Sequence, residues 1–160
     1  MAIVMKSSHE IELMKEAGRI LALTHEELKK LIRPGISTYE IDKVGEQFIR
    51  SFGCIPSFLN YNGYPASICV SVNDEVVHGI PSKDRILQEG DIVSLDAGVI
   101  YKGYHSDSAR TYGVGEVSEE AKKLMQVTKE SFFEALKVCK EGNHINDISK
   151  AVFDYITARG

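Results

Sequence analysis

The segments Ile92-Val-Ser-Leu-Asp96-Ala-Gly98 and Tyr104-His-Ser-Asp107-Ser-Ala-Arg-Thr111 decide the fold of this chain. Both are typical of β-strands, and the short link Tyr101-Lys102-Gly103 predicts that they form an antiparallel hairpin. If Tyr101 and Lys102 form a two-residue loop, Asp96 lies directly opposite Asp107. A three-residue turn with a bulge at Gly103 would instead shift the register by one residue and separate the aspartates onto opposite faces, unless a second bulge restored the pairing.

Two aspartates on one face of a sheet need a positive partner. Like charges directly opposite each other are destabilising, and two carboxylates that share a site do not both ionise cheaply. Asp96 also lies in an otherwise apolar strand, where a lone carboxylate is costly. We therefore expect a metal ion, and oxygen ligands favour Mn²⁺, Mg²⁺ or Fe²⁺. The alternative is that the aspartates cap turns or pair with Arg110. Two carboxylates are too few for a tight site, so further ligands must come from elsewhere.

The bulk composition is that of an ordinary globular protein. The chain has 160 residues, of which 43% are hydrophobic and 26% charged, and a net charge of -4. That charge gives no electrostatic case for nucleic acid or an anionic membrane. The N-terminal segment lacks the apolar run of a signal peptide, and no run reaches transmembrane length. The three cysteines are odd in number and widely spaced, which suits a reducing cytosol.

The apolar spacing and turn residues predict four helices and four strands. The helices run from Ser7 or Ser8 to about Ile32, from Ser37 or Thr38 to Gly53, from about Ser118 to Lys140 and from about Asn146 to Ala158. The strands are Cys54 to Leu59, Ala66 to Val72, Asp91 to Gly98 and Tyr104 to Val114.

This order contains a repeat. Arg33-Pro-Gly35 aligns with Lys140-Glu-Gly142, and the same offset places Gly53 over Gly160. In the first copy strands follow, whereas the second copy stops where its strands should begin. We therefore expect one incomplete domain over residues 1–160, with a first repeat at about 8–115 and the opening of a second at about 116–160, from a longer protein.

The sequence around each histidine favours a different role, catalytic or structural. His78 follows a strand and precedes a Gly/Pro turn, and a neutral imidazole beside a cation site donates readily to a substrate carbonyl. The alternative is a structural loop histidine. His105-Ser106-Asp107 resembles a compressed catalytic triad, but successive strand residues alternate faces, so Ser106 points away from both partners. His9, His25 and His144 fall on predicted helices or caps, and we expect them to be solvated.

The segment Phe58-Leu-Asn-Tyr61-Asn-Gly-Tyr64-Pro-Ala-Ser-Ile-Cys69 is dense in aromatic residues around turn residues. Such a cluster is usually core and turn packing. A small apolar pocket for a thioether side chain is the alternative, and Cys69 suits it as a small, soft lining residue.

Four motifs occur together in this chain: Asn60-Tyr-Asn-Gly-Tyr-Pro65, Ser71-Val-Asn-Asp-Glu-Val-Val-His-Gly-Ile-Pro81, Asp91-Ile-Val-Ser-Leu-Asp-Ala-Gly98 and Gly103-Tyr-His-Ser-Asp-Ser-Ala-Arg-Thr111. Together they resemble type I methionine aminopeptidase in its short bacterial form, over essentially the whole chain. The resemblance implies an α+β, pseudo-two-fold pita-bread (creatinase/aminopeptidase) fold, an antiparallel sheet covered by helices. This chain would hold its first half and the two opening helices of the second repeat.

The resemblance also implies roles for individual residues. Asp96 would bind one metal ion, Asp107 would bridge two, and His78 would hydrogen-bond the scissile peptide and its tetrahedral intermediate. The methionine pocket would be lined by Phe58, Tyr61, Tyr64 and Cys69. A complete site would hold two divalent ions of Mn, Fe or Co, with Zn or Ni as further candidates.

The implied reaction is removal of the N-terminal methionine from nascent polypeptides in the cytoplasm, by attack of a metal-bound hydroxide on the first peptide bond. The complete enzyme would be a monomer without a nucleic-acid or membrane partner. The family also uses a histidine and two glutamates as ligands and a second substrate histidine, all from the half that would follow Gly160. We therefore expect this chain to be inactive alone and to self-associate through unpaired strand edges and exposed helix faces.

Two other functions stay open. One is a related pita-bread peptidase, such as a proline-specific aminopeptidase, against which the motif Asn60-Tyr-Asn-Gly-Tyr-Pro65 argues. The other is a non-catalytic half-domain that binds a peptide or a partner without turnover.

Overall fold

The structure, a computed structural model, describes residues 4–160. They form two compact units, of which the first ends at Glu116 and the second is Val117–Gly160. The elements of the first unit are α1 (Ser8–Lys29), α2 (Thr38–Ser51), β1 (Ile55–Pro56), a 3₁₀ turn (Tyr61–Gly63), β2 (Ile68–Val72), β3 (Ile92–Tyr101) and β4 (Tyr104–Gly113).

Both helices of the first unit begin at capping boxes. The Ser7 hydroxyl accepts from the Glu10 backbone N–H while the Glu10 carboxylate accepts from the Ser7 backbone N–H, and Ser37 and Glu40 repeat this arrangement at α2. These reciprocal bonds satisfy N–H groups that have no partner within the helix. The two predicted helix starts are confirmed.

The sheet of the first unit is antiparallel, with β3 at its centre. One edge of β3 pairs with β1 and β2 in succession, and the other edge pairs with β4 over the whole strand. Side chains of β3 at odd positions point toward the helices and are buried, and they form the core with α1, α2 and β2. The principal core residues are Ile20, Leu28, Ile41, Ile49, Ile68, Val70, Val72, Val93, Leu95, Ala97 and Val99.

The β3–β4 hairpin turns at Lys102 and Gly103, one residue later than predicted. The φ angles of these two residues are 47° and 86°, the signs of a type I′ turn, and glycine takes the second without steric cost. The predicted register is therefore wrong: Asp96 lies opposite Ala109, and Asp107 lies opposite Gly98. A shift of two residues preserves the faces, so the aspartates remain on the same face as diagonal neighbours.

Two further predictions are wrong. The strand predicted from Cys54 to Leu59 shrinks to the two residues of β1, because Pro56 has no N–H to extend a ladder. His25 is fully buried between α1 and β4 rather than solvated, whereas His9 and His144 are exposed.

The second unit is a helical hairpin of α3 (Glu119–Val138) and α4 (Ile145–Thr157). The Ser118 hydroxyl caps α3 at the Ala121 backbone N–H. Within this unit few side chains are buried, and several large apolar ones are more than half exposed: Leu124, Phe132, Phe133, Ile145 and Phe153. The helices fall where the sequence repeat places them, and the repeat itself stays a prediction. None of the helices in residues 4–160 has the length and apolar character needed to cross a bilayer.

Candidate metal centre

The candidate centre lies on the sheet face that points away from α1 and α2. Asp96 in β3 is flanked across the sheet by Cys69 in β2 and Ala109 in β4. Asp107 shares the face of Ala109, two residues earlier in β4. Diagonal neighbours on an antiparallel sheet lie about 7–8 Å apart, which two carboxylate side chains can bridge toward a common point.

The Asp96 carboxyl group is in a place that disfavours its charge. Its Oδ1 atom is buried and has no hydrogen-bond partner among the described residues. Burial raises the pKa of Asp96 to about 6, with further contributions from the negative charge of Asp107 and a contact between the two carboxyl groups. The charge of a protonated His78 acts in the opposite sense on this pKa. A cation at the same place would stabilise the charged carboxylate and so oppose the effects of burial and of Asp107.

The two aspartates fit a divalent ion as part of a ligand set. They offer hard oxygen donors, and the Asp96 Oδ1 atom is buried without a hydrogen-bond partner in the described chain. Residues 4–160 contain no group of three or more His, Cys, Asp or Glu side chains placed to hold a metal ion. In the metal-free chain burial raises the pKa of the Cys69 thiol, a hydrogen bond with Tyr64 acts in the opposite sense, and the negative charges of Asp96 and Asp107 raise it further.

His78 is exposed on the loop after β2 and has a φ of 59°, in the left-handed region. The residue that follows it is docked on β2: the Gly79 N–H donates to Ser71 Oγ at 3.1 Å, and the Gly79 carbonyl accepts from the Val70 N–H at 2.9 Å. A Cβ at Gly79 would lie 2.2 Å from the Val70 carbonyl oxygen. Only glycine allows this approach, and the approach fixes the position from which His78 projects.

Only part of the aromatic segment Phe58–Cys69 lies beside the candidate metal centre. The Tyr64 hydroxyl donates to the carbonyl oxygens of Gly79 at 3.0 Å and Ile68 at 3.3 Å, so Tyr64 ties the His78 loop to the start of β2. The Phe58 ring is half-buried against Gly98, the residue opposite Asp107. Tyr61, in contrast, is 68% exposed on the 3₁₀ turn.

The serine triad does not assemble. Ser106 Oγ is buried on the helix side of the sheet and has no partner in the described part of the chain. His105 is on the other side, where its Nδ1 lies 3.2 Å from Ser57 Oγ. Sequence reasoning missed His25, because its burial comes from β4 packing on α1 and leaves no local signal.

The chain is similar to methionine aminopeptidases in sequence and structure. The model of metallopeptidase family M24 matches residues 12–160. Methionine aminopeptidase 1 of Bacillus subtilis is 54% identical over 154 residues, which cover 96% of this chain and 62% of that protein. Methionine aminopeptidase of Clostridium acetobutylicum is 49% identical over 158 residues, which cover 99% of this chain and 63% of that protein. The chain thus spans less than two thirds of the length of these relatives.

Among solved structures, methionine aminopeptidase from Thermotoga maritima has a TM-score of 0.96 at 39% identity, over 99% of this chain and 64% of that chain. Xaa-Pro dipeptidase from Bacillus anthracis has a TM-score of 0.85 at 32% identity, and the match covers 97% of this chain and 42% of that chain. These likenesses confirm the predicted pita-bread fold, of which this chain holds the first portion. Because the family model accounts for nearly the whole chain, this protein belongs to metallopeptidase family M24, and its resemblance to the methionine aminopeptidases is confirmed.

Proposed function

We propose that this chain supplies the aspartate part of the metal site of a methionine aminopeptidase, which removes the N-terminal methionine from nascent polypeptides. The observation that carries the proposal is the buried, unpartnered Oδ1 of Asp96 beside the Asp107 carboxylate. The names of the similar proteins support the same activity. The three cysteines, all free, fit a reducing cytoplasm.

The residues of the candidate site have distinct roles in this proposed function. Asp96 and Asp107 hold the two divalent ions of the complete site, of Mn, Fe or Co, with Zn or Ni as further candidates. When bound, such ions activate a water molecule and polarise the carbonyl of the first peptide bond. His78, projecting from its docked loop, donates to the scissile peptide as its carbonyl oxygen gains charge. The apolar surface that receives the methionine side chain comes from Phe58, Tyr61, Tyr64 and Cys69.

The 160-residue chain is expected to bind metal weakly and to release no methionine alone. With two carboxylate ligands, water must fill most coordination positions of a divalent ion. A ligand set this small does not hold the ion in a fixed geometry. The matching assay is release of free methionine from a Met-Ala-Ser peptide with Mn²⁺, Fe²⁺ or Co²⁺. Turnover that Asp107→Ala abolishes would contradict the expectation of inactivity and show that the site is completed by other means.

Metal binding tests the site directly. We expect the chain to bind Mn²⁺ weakly, as measured by electron paramagnetic resonance of the free aqua ion. Asp107→Asn should raise the dissociation constant at least tenfold, because it replaces one of two anionic ligands by a neutral group. The matched control is Asp84→Asn, which neutralises an exposed aspartate in the loop after β2. Equal Mn²⁺ binding by the wild type and Asp107→Asn would overturn the assignment.

A proline-specific peptidase is the second candidate, supported by the likeness to Xaa-Pro dipeptidase. The two activities differ in the peptide that binds to the aromatic surface. Calorimetric titration with Met-Ala-Ser and with an Ala-Pro peptide separates them, and preference for the Ala-Pro peptide would favour the second. Peptide binding that added metal leaves unchanged would favour the third possibility, a non-catalytic binding half-domain.

A further inference from the structure

His25 is a buried polar group that the proposed chemistry does not use. It lies on α1, on the helix side of the sheet, with no exposed surface. Its Nε2 atom is 3.0 Å from the Ser108 carbonyl oxygen and 3.1 Å from Ser108 Oγ. A carbonyl oxygen only accepts, so the first contact requires the proton to be on Nε2. Nδ1 has no partner within residues 4–160, so the hydrogen bonds of this ring go to Ser108.

Ser108 occupies the rung of the sheet between the two aspartates. It pairs with Ala97, and the pairs on either side carry Asp96 and Asp107. The side chain of Ser108 points toward α1, and that of Asp107 points to the candidate metal centre. His25 therefore contacts the strand from one face, at the point where the other face presents the metal ligands.

Strand β4 has few other restraints near Asp107. It pairs with β3 on one edge, and no strand of the described chain pairs with its other edge. Three further side-chain contacts join it to α1: the Tyr104 hydroxyl donates to Glu10 Oε1 at 2.8 Å, the Tyr112 hydroxyl donates to the His25 carbonyl at 3.4 Å, and Arg110 pairs with Glu26 at 2.8 Å. The Tyr112 contact is long, and the Arg110 pair is exposed, where an ion pair contributes little. The Tyr104–Glu10 contact joins two partly exposed residues at the start of β4, whereas the His25 ring is fully buried where it meets Ser108.

We propose that His25 is a positioning residue for the metal centre. Its Nε2–H group, donated to the Ser108 carbonyl, holds β4 against α1 so that Asp107 and Asp96 converge on one ion. The inference rests on the proposed function for the metal, while the anchoring of β4 is measurable without metal.

Three substitutions separate positioning from general stability. His25→Leu keeps an apolar side chain of similar size and removes the donor. His25→Gln presents an amide N–H at about the reach of Nε2 and should rescue the contact. Thr24→Val is the matched control: Thr24 is equally buried in the same turn, but its hydroxyl donates within α1, to the Ile20 carbonyl at 2.9 Å.

The first measurement is Mn²⁺ affinity of the folded variants, by electron paramagnetic resonance. We expect His25→Leu to raise the dissociation constant at least fivefold, while His25→Gln and Thr24→Val stay within twofold of the wild type. Unchanged affinity in His25→Leu would overturn the proposal. Equal weakening by Thr24→Val would overturn it as well, because any loss of stability in α1 would then suffice. Should His25→Leu fail to fold, His25→Asn replaces it, since its amide is too short to reach Ser108.

The second measurement is amide hydrogen exchange by NMR without metal. We expect His25→Leu to accelerate exchange at Ser108 and Arg110 at least tenfold relative to the amides of β2, and Thr24→Val to change both strands equally. If the wild type takes up no Mn²⁺, the proposed metal site fails in this chain, and the exchange result alone decides whether His25 anchors β4. Unchanged relative exchange in β4 would then overturn the anchoring.

Discussion

The carboxyl group of Asp96 lies where its charged form is disfavoured. It is partly buried, one of its oxygen atoms has no hydrogen-bond partner in the described chain, and a second carboxylate lies beside it. All three conditions favour the protonated form, so the pKa of Asp96 rises from 3.8 to about 6. Such a site is unfavourable for stability alone, and it is suited to a ligand that supplies positive charge.

Without metal, the stability of the chain should depend on pH through Asp96. Because the pKa of Asp96 is higher in the folded chain than in the unfolded chain, its stabilising contribution is complete below about pH 3.8 and is lost as the pH rises through 6. The loss should be on the order of 1–3 kcal/mol. Asp96→Asn stays neutral at every pH, so in urea titrations it should gain stability relative to the wild type from pH 4 to pH 7. A constant difference across that range would contradict the assigned pKa.

At the scale of elements, Asp42 joins α2 to the start of β2. Asp42 is 2% exposed, and its Oδ1 accepts from the backbone N–H groups of Ser67 at 2.8 Å and Ile68 at 2.9 Å. No strand partner of β2 serves these two N–H groups, so a helix side chain completes the hydrogen bonding where the strand begins.

We therefore predict that Asp42→Ala lowers the free energy of unfolding by about 2–4 kcal/mol, because two buried N–H groups lose their acceptor. Asp42→Asn keeps an acceptor oxygen and should lose less. Glu46→Ala, which breaks more exposed ion pairs one turn along the same helix, should cost no more than about 1 kcal/mol. Urea unfolding followed by circular dichroism measures all three. A cost for Asp42→Ala as small as that for Glu46→Ala would show that water satisfies these N–H groups.

At the scale of the whole molecule, the second unit exposes apolar side chains. Phe132 is 58% and Leu136 50% exposed, and a spacing of four residues places them on one side of α3. Neighbouring exposed apolar side chains are prone to association, whereas single ones are common on any surface.

We predict that the chain self-associates with increasing concentration in sedimentation equilibrium and binds the dye ANS. Phe132→Glu should reduce both, because it places a charge within the apolar side of α3. Val76→Glu is the matched control, since Val76 is 88% exposed but lies in a loop of the first unit. If both variants associate as the wild type does, the surface responsible lies elsewhere.

Much of this architecture follows from local sequence. Ser7 and Ser37, each followed three residues later by glutamate, start the helices where the structure has them, because capping bonds form between neighbours in the chain. Alternation along β3 and β4 likewise decides which side chains share a face. The turn was predicted one residue too early, which shifts the pairing of β3 with β4 by two residues. Because that shift is even, Asp96 and Asp107 still lie on the same face of the sheet.

The sequence by itself therefore determined the helices, the central hairpin and the pair of aspartates, because these depend on contacts between residues close in the chain. Only the tertiary structure decided the register of β4 and the burial of His25 and of Asp96 Oδ1. The burial of both groups depends on segments distant in sequence, because β4 packs on α1 and the sheet encloses Asp96. The register follows from the turn, where Lys102 and Gly103 both take a positive φ, and two neighbouring turns were compatible with the sequence. The burial of a side chain and its hydrogen-bond partners are properties of the packed molecule, and no local sequence pattern encodes them.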